Sequence, residues 1–126
     1  MDLEHFAVSA NSVEEADKFF VTLFGLKKTR DFEVDAELIN QFFGINSDQR
    51  LIRYENENIA AEVFINKEKK NADNLFSHVC LVVDNRDELV QKAKDLGYKM
   101  SKVPRKNSDS YYLFLNDEFG NIYEIK

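Results

Sequence analysis

Phe76-Ser77-His78-Val79-Cys80-Leu81-Val82-Val83, followed by Asn85-Arg86-Asp87-Glu88 and then by Gly97, is the stretch on which the fold turns. The apolar run over 76–83 reads as a strand. Asn85 is a helix N-cap with an acid, Glu88, three residues on. Leu89, Val90, Ala93 and Leu96 recur at helical spacing, and Gly97 is well suited to the position just past a helix end. The start of the chain has the same grammar. Residues 3–10 alternate and read as a strand. Ser12-Val13-Glu14-Glu15 has the S-x-x-E spacing of a capping box. Val13, Ala16, Phe19, Phe20, Leu23 and Phe24 form an apolar stripe, and Gly25 ends it. His5 stands 20 residues before Gly25, and His78 stands 19 residues before Gly97.

Working outward, residues 28–34 predict a second strand and 36–43 a short helix with Leu38, Ile39, Phe42 and Phe43 as its stripe. Residues 49–54 and 59–65 predict a hairpin around Glu55-Asn56-Glu57-Asn58. In the second half, 99–103, 111–115 and 122–126 predict three strands, the last preceded by a turn at Asp117-Glu118-Phe119-Gly120-Asn121. Each half is thus strand–helix–strand–strand–strand, which points to an internal duplication. The expected organisation is one α+β domain over 1–126. Module one covers 1–66, a Lys/Asn/Asp-rich linker 67–75, and module two 76–126.

Composition narrows the function. At 126 residues a chain can bury about 65–70% of its unfolded surface, enough for a core without disulfides. With 44% hydrophobic and 13% aromatic residues it is not a disordered tail. Seventeen Lys+Arg against 23 Asp+Glu leave a net charge of −6, unsuited to gripping nucleic-acid phosphates. One cysteine makes no internal disulfide and no thiolate zinc site. No apolar run approaches the roughly 20 residues that span a bilayer. The N-terminus carries no basic, apolar signal region, so a soluble cytoplasmic protein is expected. The sequence contains no G-x-G-x-x-G, P-loop, H-E-x-x-H or G-x-S-x-G motif.

The two histidines, His5 and His78, fall in the predicted first strand of each half. Each half also carries a carboxylate in its last strand: Glu62 in Ala60-Ala61-Glu62-Val63-Phe64, and Glu124 in Ile122-Tyr123-Glu124-Ile125. A single strand His is more often a satisfied core residue, and a single strand Glu more often lies on a solvated face. The matched set of four shifts that balance. Buried carboxylates are costly unless paired, hydrogen-bonded or bound to a cation. Imidazole and carboxylate donors suit one divalent ion, Zn, Ni, Co, Mn or Fe(II). Period-two alternation puts Ala7 and Ser9 on the face of His5, and Cys80 and Val82 on that of His78. Cys80 is expected to be a small buried hydrophobe. Arg50 and Arg53 lie on opposite faces of one strand, so one of them is a candidate to hold an anionic substrate. Tyr111 and Tyr112 alternate in the same way.

Leu-Glu-His5, Leu23-Phe24-Gly25-Leu26, Ala-Glu62-Val-Phe, Ser-His78-Val-Cys-Leu-Val-Val and Asp117-Glu-Phe-Gly120-Asn-Ile-Tyr-Glu124-Ile together resemble the vicinal oxygen chelate superfamily. That superfamily includes glyoxalase I, methylmalonyl-CoA epimerase, fosfomycin and bleomycin resistance proteins, and extradiol dioxygenases. The resemblance covers essentially the whole chain. It implies two βαβββ modules forming a cupped, mostly antiparallel sheet with helices on its convex side. It also implies a metal bound by His5, Glu62, His78 and Glu124, a set similar to that of glyoxalase I. Epimerases usually have Gln at the place of Glu62, and fosfomycin proteins and dioxygenases use three ligands, matching His5, His78 and Glu124. The family's frequent D-P-D-G turn is Asp117-Glu118-Phe119-Gly120 here. The implied activity is a glyoxalase-like isomerase or lyase on a small substrate, with Glu124 and then Glu62 as candidates to move a proton. The alternatives are a fosfomycin-type thiol transferase, a dioxygenase, and a non-catalytic protein that binds an antibiotic or other small molecule. A homodimer is expected, since small sheets leave edges that want partners.

Overall fold

The computed structural model describes residues 1–68, 72–73 and 75–126. Two compact units divide the chain, Met1–Lys70 and Asn71–Lys126. The first contains β1 (Phe6–Ala10), α1 (Val13–Ala16) running on into wider π-helical turns (Asp17–Leu23), β2 (Lys27–Val34), α2 (Ala36–Phe43), β3 (Gln49–Glu55) and β4 (Ala60–Ile65). The second contains β5 (Val79–Leu81), α3 (Arg86–Asp95), β6 (Lys99–Pro104), β7 (Tyr111–Asn116) and β8 (Ile122–Ile125). The first sheet has the order β1-β4-β3-β2 and the second β5-β8-β7-β6. In both, the first strand lies parallel to the last and the other pairs are antiparallel. The units share one topology, with α2 as an addition in the first. The fold is α+β, with two four-stranded sheets. Of the expected linker, Lys69, Lys70, Asn71 and Asn74 lie outside the described residues.

Helix starts follow the local chemistry. The Ser12 hydroxyl accepts from Glu15 N at 3.1 Å, while the Glu15 carboxylate reaches back to Asn11 N at 3.2 Å, one residue before the usual partner in a capping box. Asp35 and Asn85 cap α2 and α3 by accepting from Leu38 N and Glu88 N. Gly25 and Gly97 follow the first helical segment and α3 with φ of +71° and +82°, a region that glycine enters without steric cost.

Each sheet buries one face. In the first unit Ile52, Tyr54, Ala61 and Val63 of the sheet are fully buried, as are Ala16, Phe19, Phe20 and Leu23 of the helix. Phe20 stacks on Tyr54 at 5.2 Å. The regular helix expected here gives way to π-helical turns, marked by Phe24 N donating to Phe19 O at 3.2 Å. The wider turn lets the adjacent Phe19 and Phe20 both be buried, each at about 1.5–3 kcal/mol of burial free energy. In the second unit Leu113, Leu115, Tyr123 and Ile125 are buried with Leu89 and Ala93 of α3.

Two sequence readings need correction. The strand expected at 76–83 is regular only over Val79–Leu81, with one further backbone bond from Val83 N to Lys126 O at 2.8 Å; Phe76 and Val82 are left exposed. The strand expected at 3–10 begins at Phe6. Both histidines therefore stand immediately before their strands rather than within them.

The turn into β8 carries a pH-sensitive group. Asp117 accepts from Gly120 N and Asn121 N, both at 2.9 Å, and from Asn121 Nδ2 at 2.7 Å and the Tyr123 hydroxyl at 3.2 Å. Burial outweighs these bonds and pushes the carboxyl above its ordinary value of 3.8. A carboxyl raised by folding favours the folded state most when it is protonated. Its contribution is full below pH 3.8 and is lost as pH rises through the raised value. In urea melts between pH 3 and 7, wild type should therefore lose stability relative to Asp117→Asn as pH rises. A pH-independent difference would contradict this.

Candidate metal centre

Sheet register places the candidate donors. Ala7 pairs with Glu62 across β1 and β4, and Arg53 pairs with Glu62 across β3 and β4. These side chains share the face opposite the helix-covered one. His5, one residue before β1, brings Nε2 to 3.4 Å from Glu62 Oε2. In the second unit Cys80 and Phe114 both pair with Glu124, and His78 Nε2 lies 3.7 Å from Glu124 Oε2. The structure thus brings His5 together with Glu62, and His78 together with Glu124. Within each unit, among the described residues, no third His, Cys, Asp or Glu completes a metal-holding group.

The chemistry of each pair can be worked out from the far side of its imidazole. His78 Nδ1 lies 2.9 Å from the Phe76 carbonyl oxygen. A carbonyl only accepts, so Nδ1 carries the proton, and in a neutral ring Nε2 then bears a lone pair. That lone pair faces the Glu124 carboxylate, another acceptor. His5 Nδ1 contacts the Glu4 carboxylate. Arg53, and then His5, hold Glu4 down to about 2, so it is ionised and can only accept. His5 Nδ1 is therefore also the donor, and its Nε2 faces Glu62. Two facing acceptors need a positive charge between them, supplied by a proton or a cation. Donors around one cation at about 2.0–2.2 Å stand roughly 3.0–3.5 Å apart, so separations of 3.4 and 3.7 Å lie at and just beyond that range. Each pair thus offers two donors of a kind that suits a divalent metal.

The outer oxygen of each glutamate meets a base. Arg53 Nη1 donates to Glu62 Oε1 at 3.2 Å, and Lys126 Nζ lies 3.6 Å from Glu124 Oε1. Both carboxylates are mostly shielded, with side-chain exposures of 19% and 16%. The two-arginine alternative is resolved by register. Arg53 shares the face of Glu62, whereas Arg50 is on the other face and is held by both oxygens of Asp31 at 2.8 Å. Tyr112 shares the face of Glu124. Tyr111 is turned away beneath Arg86, whose guanidinium lies 4.2 Å from its ring. The burial expected for Cys80 is not found. Its thiol is exposed because it sits on the face of Glu124 rather than under α3, and partial desolvation followed by the Glu124 charge push it up.

Sequence reasoning missed two features. One is the contact set linking Glu4 and Arg53 to the first pair. The adjacency of Glu4 to His5 hinted at it, but the β3–β4 register that brings Arg53 there cannot be read locally. The other is a cavity of about 730 Å³ in the first unit. Ser9 and Phe64 line it, together with Phe43, Ile45 and Gln49. Ser9 and Phe64 are register partners on the face of Glu62, but Arg50 and Ile65 from the other face and Val13 at the helix start line the cavity too, and neither Glu62 nor His5 does.

The two units repeat one strand order, and each presents a His–Glu pair on its open face. The family model described as the Glyoxalase/Bleomycin resistance protein/Dioxygenase superfamily matches residues 4–114, and the chain belongs to that superfamily. The match includes His5, Glu62 and His78 and stops short of Glu124. No curated protein matches the sequence. Among solved structures, a glyoxalase family protein from Enterococcus faecalis is 14% identical with a TM-score of 0.71, covering 98% of this chain and 95% of that one. The fosfomycin resistance protein FosX from Mesorhizobium loti is 15% identical with a TM-score of 0.69, covering 98% and 89%. A variant of FosX from Listeria monocytogenes, solved with Mn(II) and 1S,2S-dihydroxypropylphosphonic acid, is 12% identical with a TM-score of 0.70, covering 98% and 87%. At these identities the likeness carries the fold alone. No helix among the described residues is long and apolar enough to cross a membrane.

Proposed function

We propose that the chain is a divalent-metal-dependent enzyme of the glyoxalase type, acting as an isomerase or lyase on a small substrate with two neighbouring oxygens. His5, Glu62, His78 and Glu124 would hold the ion. The observation that carries this reading is the approach of an imidazole Nε2 to a carboxylate oxygen in each unit, at 3.4 and 3.7 Å, a spacing that suits a shared cation. Bound there, the cation supplies Lewis-acid polarisation of the substrate oxygens. The chain's own part is positioning and proton movement. The Phe76 carbonyl and the Glu4 carboxylate orient the two imidazoles. Glu124 takes the proton from the carbon beside the substrate carbonyl and returns it to the neighbouring position. The outer strands β2 and β6 each leave one edge unpaired within their own sheets, and we propose that the protein associates as a homodimer.

One observation favours a second reading. Arg53 holds Glu62 Oε1 at 3.2 Å, which would keep Glu62 with the guanidinium and leave His5, His78 and Glu124 as a three-donor set. That set suits thiol addition to an epoxide or oxygen activation at Fe(II). One experiment separates the two readings. Protein purified without chelator is analysed for metal, sized by light scattering, and offered hemithioacetals, epoxides and catechols in deuterated water. The first reading expects about one divalent ion per chain, a mass of two chains, and deuterium at the carbon beside the carbonyl of the product. Turnover of epoxides or catechols alone favours the second, and failure to take up metal removes both.

A further inference from the structure

We infer that Glu4 and Arg53 are positioning residues that close a ring of polar contacts with His5 and Glu62 and hold the first unit's two donors in place. The inference rests on the metal-binding reading above. Going round the ring, Glu4 Oε2 accepts from His5 Nδ1, and Glu4 Oε1 accepts from Arg53 Nη2 at 2.7 Å. Arg53 Nη1 donates to Glu62 Oε1 at 3.2 Å, and Glu62 Oε2 faces His5 Nε2 at 3.4 Å. Glu55 Oε2 anchors the guanidinium from outside by accepting from Nε at 2.7 Å. Arg53 is 15% exposed and has all three of its nitrogens engaged by carboxylates. This contact pattern uses the fork geometry that distinguishes Arg from Lys.

The fold does not demand this ring. In the second unit the residue before the histidine is Ser77 rather than a carboxylate, and the register partner of Glu124 on the middle strand is Phe114 rather than an arginine. That unit reaches the same topology with a backbone carbonyl orienting its imidazole. Glu4 and Arg53 therefore serve the pair on the open face. The ring ties His5 to the tautomer that leaves Nε2 free, and it commits Glu62 to presenting Oε2. Outer partners of this kind are typically worth about 10–100-fold in metal affinity.

Two substitutions separate positioning from charge. Glu4→Gln offers one acceptor where two donors must be met, and it also removes a negative charge. Arg53→Lys keeps the charge and removes the fork. Metal-free wild type, both variants and His5→Ala are titrated with Mn(II), with free ion read by electron paramagnetic resonance. The His5 tautomer in the metal-free proteins is read from imidazole ¹⁵N shifts. Both Glu4→Gln and Arg53→Lys should bind Mn(II) about 10–100-fold more weakly, with unchanged thermal midpoints. Glu4→Gln should also release His5 into a tautomer mixture. Weakening in Glu4→Gln alone would be a charge effect and would overturn the positioning role. So would wild-type affinity in both variants while His5→Ala fails to bind. Wild-type affinity in His5→Ala would instead remove the metal reading, and this inference with it.

Discussion

Glu124→Gln should lower turnover by roughly 10²–10⁴ at saturating metal, the usual worth of a general base. The side chains have the same shape, and the amide oxygen can still face His78 Nε2 across the 3.7 Å gap. What the amide cannot do is accept a proton from carbon and give it back. The loss should therefore far exceed any loss of metal affinity, and it should appear in the rate at saturation rather than in substrate binding. Glu62→Gln should be milder, because Arg53 already occupies one oxygen of Glu62 and restricts it as a base. The measurement is deuterium entry from solvent into the substrate, with metal content verified in each variant. Full exchange in Glu124→Gln would place the base elsewhere.

His78→Ala should weaken divalent-metal binding by more than the roughly 10–100-fold expected for an outer partner, because it deletes a donor outright. The Phe76 carbonyl at 2.9 Å makes Nε2 the free nitrogen, and Phe114 steadies the ring from 5.9 Å. With side-chain exposure of 39%, His78 contributes little to the core, and its removal should change stability by only about 0.5 kcal/mol or less. Calorimetric titration with Mn(II) or Zn(II), beside a thermal melt of the metal-free protein, reads both quantities. Stoichiometric, wild-type-tight binding in His78→Ala would remove His78 from the donor set.

Much of this molecule is written locally. Ser12, Asp35 and Asn85 cap their helices because a side-chain oxygen meets a backbone N–H three residues on, an interaction contained within one turn. Gly25 and Gly97 mark matching helix ends, and with the two histidines they show the duplication. Period-two alternation places Glu62 with Phe64, and the sheet retains that pattern. Three features depended on partners distant in the chain. The first strand of the second unit is regular over only three residues, although backbone bonds between Leu81, Val83 and Lys126 carry its pairing further, and no local signal in residues 76–83 sets that limit. The helix widens after Ala16, and the adjacent Phe19 and Phe20 are both buried. Cys80 is exposed because burial belongs to a face, and which face the helix covers is not a property of the strand.

The same division runs through the candidate centre. By itself the sequence determined the βαβββ repetition, the helix caps and the placing of one His and one Glu at matching points of each half, because each is encoded in residue type and short-range spacing. Only the tertiary structure decided which nitrogen of each imidazole faces a carboxylate, and that Arg53 rather than Arg50 stands beside Glu62. Those outcomes depend on a backbone carbonyl and on the pairing of β3 with β4, and a one-residue slip in that pairing would have turned Arg53 away from the face of Glu62.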